Sequence, residues 1–288
     1  MIGLNLRTRP ATEQDRQALS NLIFRHNHAH RHLDWRPPLD WLGSPHFWVI
    51  EESDRILAAL ACPPDPPRVA WIRLFAFSGY LSGLEAWNAL WEAARAELAR
   101  DGGAQAGVIA IHGWMRDILA RTEFRHTHNI VMLEWRGHPT LPASLPADVT
   151  LRALTETDLP AAEQVDADAF APMWRISLDH LRRALAQSAN ATVLEARGRL
   201  LGYQLSTSKA NGVHLARLAV RKEAQGRGLG SALVSHLIVQ MRQRGAGNIS
   251  VNTQDDNPAS LAVYRKLGFV RTGESYPVFS TIVDAEGG

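Results

Sequence analysis

The sequence of 288 residues predicts an α/β protein made of two similar halves. Its length suits two domains better than one hydrophobic core, and landmarks of the first half return in the second. Residues 137–148 read GHPTLPASLPAD, with three prolines and neither strand nor helix periodicity. Such a segment is typical of a linker. We therefore expect domains at residues 1–136 and 149–288, joined by 137–148.

The repeated landmarks indicate an internal duplication. The matched residues lie 143 positions apart: Arg9, Thr12, Glu13 and Asp15 in the first half, and Arg152, Thr155, Glu156 and Asp158 in the second. In both places a strand ending at the arginine would lead into a helix that is capped by the threonine and acidic in its first turn. Phe124 and Phe269 also match, but they lie 145 positions apart. The first half has therefore lost two residues between these landmarks. A long-period repeat is the simplest account.

The second half alternates strand and helix patterns in the order βααβββαβαββ. We predict strands at 149–154, 191–196, 200–207, 213–220, 248–253 and within 269–282, and helices after Thr155, at 177–187, at 228–244 and after Asn257. Arg197-Gly198-Arg199 is a hairpin signal, and apolar residues every fourth position mark the helix over 228–244 as amphipathic. This order predicts a mixed sheet flanked by helices.

Composition excludes several classes of function. The 31 basic and 29 acidic side chains leave a net charge of +2, so no nucleic-acid partner is expected. Cys62 is the single cysteine, which rules out an intrachain disulfide and favours the reducing cytoplasm. We interpret Cys62 as a small residue at a strand end rather than as a nucleophile. No apolar stretch has the character of a signal peptide or a membrane span, so no membrane partner is expected.

A turn rich in glycine separates the strand ending at Val220 from the long helix after it. It reads Gln225-Gly226-Arg227-Gly228-Leu229-Gly230. Glycines allow close approach of a ligand to the backbone, and the free N–H groups at a helix N-terminus favour phosphate. The glycines alone leave a second interpretation open, in which the turn merely begins a helix.

Two motifs together resemble the GNAT superfamily of acyl-CoA-dependent N-acetyltransferases. Gln225, Gly228 and Gly230 fit its pyrophosphate loop, and the second motif, Asn-x-x-Ser/Ala-x-x-x-Tyr-x-x-x-Gly-Phe, is met by Asn257, Ser260, Tyr264, Gly268 and Phe269. The resemblance covers about 130 residues, essentially the second half. It implies two tandem GNAT folds, each a mixed, mainly antiparallel central sheet with a splayed strand pair flanked by helices. Such tandem proteins include mycothiol synthase, to which the similarity is loose.

The resemblance also implies where acetyl-CoA binds as a co-substrate. The loop backbone would hold the pyrophosphate, the strand edge before it would pair with the pantetheine amides, and the following helix would face the pantetheine arm. The implied cofactor-binding residues are Leu218, Ala219, Val220, Gln225, Gly226, Arg227, Gly228, Leu229, Gly230, Ser231, Asn257 and Ser260. For Asn257, plain helix capping is the alternative interpretation.

Two residues are candidates for catalysis by the same resemblance. Tyr264 would protonate the departing thiolate, and the Val220 N–H would polarise the thioester carbonyl. His214 stands where histone-acetylating relatives have a glutamate, and its near-neutral reference pKa suits a general base. The alternatives are a packed aromatic for Tyr264 and an ordinary strand histidine for His214. Asn252 stands where relatives that acetylate protein N-termini often carry a glutamate, which puts that acceptor in doubt.

The first half lacks this machinery and is expected to be degenerate. Leu119, His112 and Met115 stand at the positions of Tyr264, Asn257 and Ser260. The loop 78–83 has two glycines but no leading Gln or Arg. Trp87 and Trp91, four apart on a predicted helix, indicate core packing, whereas Trp35 and Trp41 suit a pocket or an interface. Four alternating histidines, His26, His28, His30 and His32, are interpreted as a polar helix end, and no metal is predicted.

The sequence therefore predicts a cytoplasmic N-acetyltransferase in which an amine attacks acetyl-CoA directly. The acceptor can be an amine of a small molecule or of a peptide, and the sequence does not decide between them. It does not decide the oligomeric state either. Specificity is expected to depend on residues 169–177 and 273–277. Two other classes remain: an acyl-CoA-binding regulatory module with vestigial chemistry, and a scaffold that binds a protein through the first half.

Overall fold

A computed structural model describes residues 6–137, 144–210, 212–245 and 247–287. The chain forms two compact units: one comprises the residues up to Thr127 and those from Pro277 onward, and the other is His128–Tyr276. The units differ in their bounds from the predicted domains, since 128–136 belongs to the second unit and 277–288 to the first. The predicted domain bounds stay a prediction, and half of the predicted linker, residues 138–143, lies outside the described residues.

The first unit is built on antiparallel strands that pack against helices. Its elements are β1 (Arg7–Pro10), α1 (Arg16–Arg25), β2 (Ala29–Arg31), β3 (Phe47–Glu52), β4 (Arg55–Ala61), β5 (Val69–Trp71), β6 (Leu74–Phe77), α2 (Gly83–Arg100), β7 (Ala104–Ile109), α3 (Gly113–Leu119) and the start of β8 (Arg125–Trp135). One sheet has the order β1-β3-β4-β6-β2. In addition, β7 pairs in parallel with β5 and in antiparallel fashion with Val278–Val283 near the chain's end.

The second unit has a sheet in which one strand pair is parallel. Its further elements are β9 (Thr150–Ala153), α4 (Leu159–Ala169), α5 (Leu178–Ala186), β10 (Ser188–Ala196), β11 (Arg199–Lys209), β12 (Gly212–Val220), α6 (Leu229–Gln243), β13 (Asn248–Gln254), α7 (Pro258–Lys266) and β14 (Phe269–Val283). The strand order is β8-β13-β12-β11-β10-β9, with β14 beside β8. These strands and helices follow the predicted order closely.

The parallel pair β12 and β13 separates along its length. The two strands pair only from Gly212 with Asn248 to Leu215 with Val251. At the closed end they approach so tightly that a Cβ on Gly212 would lie 1.9 Å from the Asn248 carbonyl oxygen, so this position requires glycine. Beyond Leu215, β12 continues to Val220 with no strand partner on this side among the described residues. The predicted splayed strand pair is thus confirmed in the second unit.

The duplicated landmarks fold in the same way in both units. Arg152 donates to both carboxylate oxygens of Asp158, and Thr155 donates to Asp158 through its backbone N–H and its hydroxyl. Arg9 and Thr12 make the corresponding hydrogen bonds to Asp15. Each threonine caps a short 3-10 turn before α1 or α4. The pKa of Asp15 and that of Asp158 are lowered mainly by the arginine hydrogen bonds.

Some predictions for the first half need revision. Trp87 and Trp91 do pack in the core. The predicted polar helix end around His26–His32 is wrong at its centre, because α1 ends at Arg25 and His30 is fully buried on β2. Trp41 is 7% exposed and borders a cavity of about 700 Å³, so of the two interpretations for this residue the pocket fits. No described helix is long and apolar enough to cross a membrane.

Candidate functional site

A cavity of about 480 Å³ lies in the second unit where β12 leaves its parallel partner. It is bounded by the end of β12, the first turn of α6, one face of α7 and the end of α4. Its lining residues are Ala169, Phe170, Leu218, Ala219, Val220, Ala224, Gln225, Gly226, Gly228, Leu229, Gly230, Ser231, Asn257, Ala259, Ser260, Ala262, Val263 and Lys266. The structure therefore brings together every predicted cofactor-binding residue except Arg227, which is exposed beside the cavity.

The N-terminus of α6 has the properties of an anion site. Gly228 is its N-cap and has a left-handed backbone with φ of +79°, and the first turn contains no acidic residue. Gly226 has φ of +76°, and a Cβ at either glycine would meet nothing within 4 Å. The loop therefore needs glycine for its backbone conformation rather than for space. The free N–H groups and the positive end of the helix favour a bound phosphate group here.

The edge of β12 offers backbone groups to an extended ligand. Leu218, Ala219 and Val220 line the cavity and pair with β11 on their other side. Because β13 has already separated, no strand in the described part of the chain pairs with the second edge of this segment. Two contacts fix the turn that follows: the Gln225 side-chain amide donates to the Val220 carbonyl at 3.0 Å, and the Lys222 N–H donates to Asp168 at 2.7 Å.

Helix α7 supplies the opposite wall of the cavity. Asn257 caps it, since its side-chain oxygen accepts from the Ser260 N–H at 3.0 Å, and both residues also line the cavity. The two interpretations of Asn257 are therefore compatible. Tyr264 lies on the same helix but is 3% exposed and packs against Phe269, with the ring centroids 5.6 Å apart. Burial raises the pKa of Tyr264, so the phenol stays protonated across the physiological range.

His214 lies on the paired part of β12, and it is not among the lining residues of this cavity. Its Nδ1 is 3.0 Å from the Ser250 hydroxyl, which accepts a hydrogen bond from the Lys209 ammonium at 2.9 Å. The Ser250 hydroxyl has one hydrogen to donate and two lone pairs, so Nδ1 accepts from it in the Nε2–H tautomer and donates to it in the Nδ1–H tautomer. Burial, with Lys209 adding to it, lowers the pKa of His214 to about 4. The expected near-neutral pKa is therefore wrong.

A buried polar network that the sequence did not reveal anchors the loop after α4. Asp166, fully buried, accepts from both Nε and Nη2 of Arg217 at 2.7 Å and from the Tyr203 hydroxyl at 2.6 Å. Arg217 also donates to the Trp174 carbonyl at 2.6 Å, and its guanidinium carbon lies 3.8 Å from the centroid of Phe170. Nothing in the spacing of these residues signals the network, because it joins positions about 50 residues apart.

The first unit fills the equivalent space with its own side chains. Trp114 stands at the position of Ala259, and its ring packs edge-on against Phe77, the counterpart of Val220, at 5.5 Å. At the N-terminus of α2, Ser82 caps the helix and donates to the carboxylate of Glu85 in the first turn at 2.8 Å. This helix end therefore already has a negative charge beside it. Among the described residues of the first unit, side chains thus stand where the second unit has its open channel and its free helix end.

No group of three or more His, Cys, Asp or Glu that could hold a metal ion occurs within residues 6–137, 144–210, 212–245 and 247–287.

Comparison with known proteins identifies the family whose members this chain resembles. Residues 154–269 match the model of the Acetyltransferase (GNAT) family. The ribosomal protein bS18-alanine N-acetyltransferase of Salmonella typhimurium is 31% identical over 120 residues, which are 42% of this chain and 80% of the relative. Mycothiol acetyltransferase of Renibacterium salmoninarum is 29% identical over 165 residues, 49% of this chain and 47% of the relative.

A solved tandem GNAT protein from the clavulanic acid biosynthesis pathway shares the fold along the whole chain. It is superimposed with a TM-score of 0.61 over 99% of this chain and 100% of that one, at 15% sequence identity. The tandem arrangement inferred from the repeated landmarks agrees with this neighbour. With the matched family model, the two motifs and a relative that is matched over most of its length, the chain belongs to the GNAT family of N-acetyltransferases.

Proposed function

We propose that the second unit transfers an acetyl group from acetyl-CoA to the nitrogen of an amine acceptor. The observation that supports this most is the combination, in one cavity, of a free strand edge and a helix N-terminus without acidic residues. A molecule with a diphosphate and an amide-containing arm has complementary groups for both. The loop 225–230 would bind the diphosphate, and Leu218–Val220 would pair with the arm.

The chemistry proposed for Tyr264 is protonation of the thiolate that leaves when the amine has attacked. Because its pKa is raised, the phenol carries its proton at physiological pH and can donate it to the sulfur as the carbon–sulfur bond breaks. A backbone N–H of the free edge Leu218–Val220 is the proposed donor to the thioester carbonyl oxygen, which gains negative charge in the transition state. Gly202 and the strand pairing hold that backbone in place, since Gly202 pairs directly with Val220.

His214 is proposed as the acceptor of the amine's proton. Its surroundings limit both the route by which the proton reaches the ring and the basicity of the ring. Its Nδ1 lies 3.0 Å from the Ser250 hydroxyl, so a proton transferred to this nitrogen would pass through that hydroxyl or an intervening water. Because its pKa is lowered to about 4, the ring is neutral at physiological pH but is a weak base. We therefore expect the titration of the acceptor amine itself, rather than that of His214, to govern the acidic limb of the pH–rate profile.

The acceptor is proposed to be a primary amine on a small molecule or a peptide. Of the relatives, one is named for an alanine of a ribosomal protein and another for mycothiol, so the family name alone does not choose between them. The loop after α4 borders the reacting end of the cavity and would contact the acceptor. A release assay for the free thiol of CoA, run over a panel of amino acids, amino sugars, polyamines and N-terminal peptides, identifies the class.

The first unit is proposed to bind no CoA, because Trp114 and Glu85 occupy the two places that the ligand would need. Isothermal titration of the full chain with CoA and with acetyl-CoA tests the whole proposal. We expect one site per chain for both ligands. A protein that binds neither contradicts the assignment of the cavity, and a protein that binds two per chain contradicts the role given to the first unit.

A further inference from the structure

The lining of the cavity includes two residues from the end of α4, Ala169 and Phe170. Phe170 is half-buried, and its ring is the only aromatic one among the described lining residues. Neither residue belongs to the loop or helix motifs that define the cavity from the sequence. Their position raises the question of which part of a bound donor they would touch.

The direction of β12 answers that question. The pantetheine arm of a donor whose diphosphate is bound at the loop 225–230 would run back along the edge of β12, from Val220 to Leu218. The strand advances by about 3.3 Å per residue. The arm cannot continue past Leu215, where β13 closes the sheet. The acyl group therefore comes to lie near Leu218. Arg217 is the preceding residue, and its guanidinium is stacked on the Phe170 ring at 3.8 Å, so the ring lies at this end.

The ring is held rigidly. Arg217 is fixed by two hydrogen bonds to Asp166 and one to the Trp174 carbonyl, and Asp166 is fixed in turn by the Tyr203 hydroxyl and the Ile176 N–H. The Phe170 carbonyl accepts from Arg175 at 3.1 Å, which ties the backbone to the same loop. A side chain restrained from both its ring face and its backbone has little freedom to move aside for a larger group.

We propose that Phe170 limits the length of the acyl group: its ring closes the end of the cavity, so that acetyl fits and a four-carbon acyl group does not. Asp166 and Arg217 are positioning residues that act through the ring. This inference rests on the proposed function, since it assumes that the donor lies along β12. It narrows the donor class from acyl-CoA in general to acetyl-CoA.

The test compares the dissociation constants of CoA, acetyl-CoA and butyryl-CoA by isothermal titration, so that no acceptor is needed. We expect the native protein to bind butyryl-CoA at least tenfold more weakly than acetyl-CoA. Phe170→Ala should bring this ratio below about threefold and leave the affinity for CoA itself within about threefold. Phe170→Leu should give an intermediate ratio, and it serves if the alanine variant does not fold. Trp174→Phe, in the same loop but outside the cavity lining, should keep the native ratio.

The positioning role is tested by the double variant Asp166→Leu/Arg217→Met, which replaces the buried pair with apolar groups of similar size. The double variant should lower the ratio of the dissociation constants of butyryl-CoA and acetyl-CoA, though less than Phe170→Ala does, and it should still bind CoA. A purely structural role would instead change the affinities for CoA, acetyl-CoA and butyryl-CoA together. A native protein that binds butyryl-CoA as tightly as acetyl-CoA overturns the proposal, as does a folded Phe170→Ala or Phe170→Leu variant with the native ratio. Failure of the native protein to bind CoA at all refutes the proposed function instead.

Discussion

Replacing Gly228 tests whether the N-terminus of α6 binds the diphosphate. Any side chain there must adopt the left-handed backbone with φ of +79°, which costs stability by about 1–2 kcal/mol. A Cβ meets nothing within 4 Å, so no steric term is added. Gly228→Ala therefore measures backbone strain alone. Gly228→Glu adds a carboxylate at the place where a phosphate would sit.

The size of the charge effect follows from Coulomb's law. Two unit charges about 4 Å apart repel by about 1 kcal/mol in bulk water and by about 4 kcal/mol at the effective dielectric constant of a protein surface. Gly228 is exposed, so solvent screens part of this repulsion, and we expect about 2 kcal/mol. That corresponds to roughly 30-fold weaker binding of CoA by Gly228→Glu than by Gly228→Ala.

The assay is titration of both variants with CoA at low salt and at about 1 M salt, where the screening length falls to about 3 Å. Most of the difference between the variants should disappear at high salt, while the loss common to both should remain. Thermal unfolding of the two variants should show similar destabilisation. Equal affinities of folded Gly228→Glu and Gly228→Ala at low salt would refute the anion site at this helix end.

Three further predictions concern the walls of the cavity, the proton donor and pH. Ala259→Trp, which copies Trp114 of the first unit into the second, should abolish CoA binding at concentrations that saturate the native chain, whereas Ala259→Ser should bind normally; binding by a folded tryptophan variant would contradict the comparison of the units. Tyr264→Phe should lower turnover by ~10²-fold or more with acetyl-CoA affinity nearly constant, and normal turnover with a verified acceptor would assign Tyr264 to packing. Burial lowers the pKa of both His30 and His214 to about 4, below the ordinary 6.5, so the unfolded chain binds more protons in this window. The free energy of unfolding should thus fall as pH drops from 6.5 to 4, by up to about 3 kcal/mol per histidine, and urea unfolding of His214→Gln should show a smaller fall; an equal fall would mean that His214 is not shifted.

The sequence predicted the second unit well because its signals are local. The turn Arg197-Gly198-Arg199, for example, joins β10 and β11 with positive φ at Arg197 and Gly198. The glycine loop and the Asn257 cap each specify a helix start through residues within a few positions. The parts that sequence reasoning missed depend on distant partners: the Asp166–Arg217 network and the burial that lowers the pKa of His214 arise only once separate elements pack together.

The first half shows the same dependence on contacts between distant residues. Residues 71–77 are almost all apolar, yet they do not form one strand, because β5 and β6 are separated by Ile72 and Arg73. Arg73 is buried there and pairs with Asp34, a pairing that periodicity within the run cannot show. His30 was misinterpreted for the same reason, since burial in β2 and a contact from its Nε2 to the Ile72 carbonyl depend on the packed sheet.

The pairing of β7 with Val278–Val283 has a consequence for the order in which the chain acquires its structure during synthesis. A ribosome has made all of the second unit before it reaches these residues, so β7 waits with one open edge while more than 160 residues are added. An open edge is a template for wrong pairing between nascent chains. Expression of residues 1–136 alone would make this exposure permanent, and that fragment should aggregate unless a peptide corresponding to 277–288 is supplied.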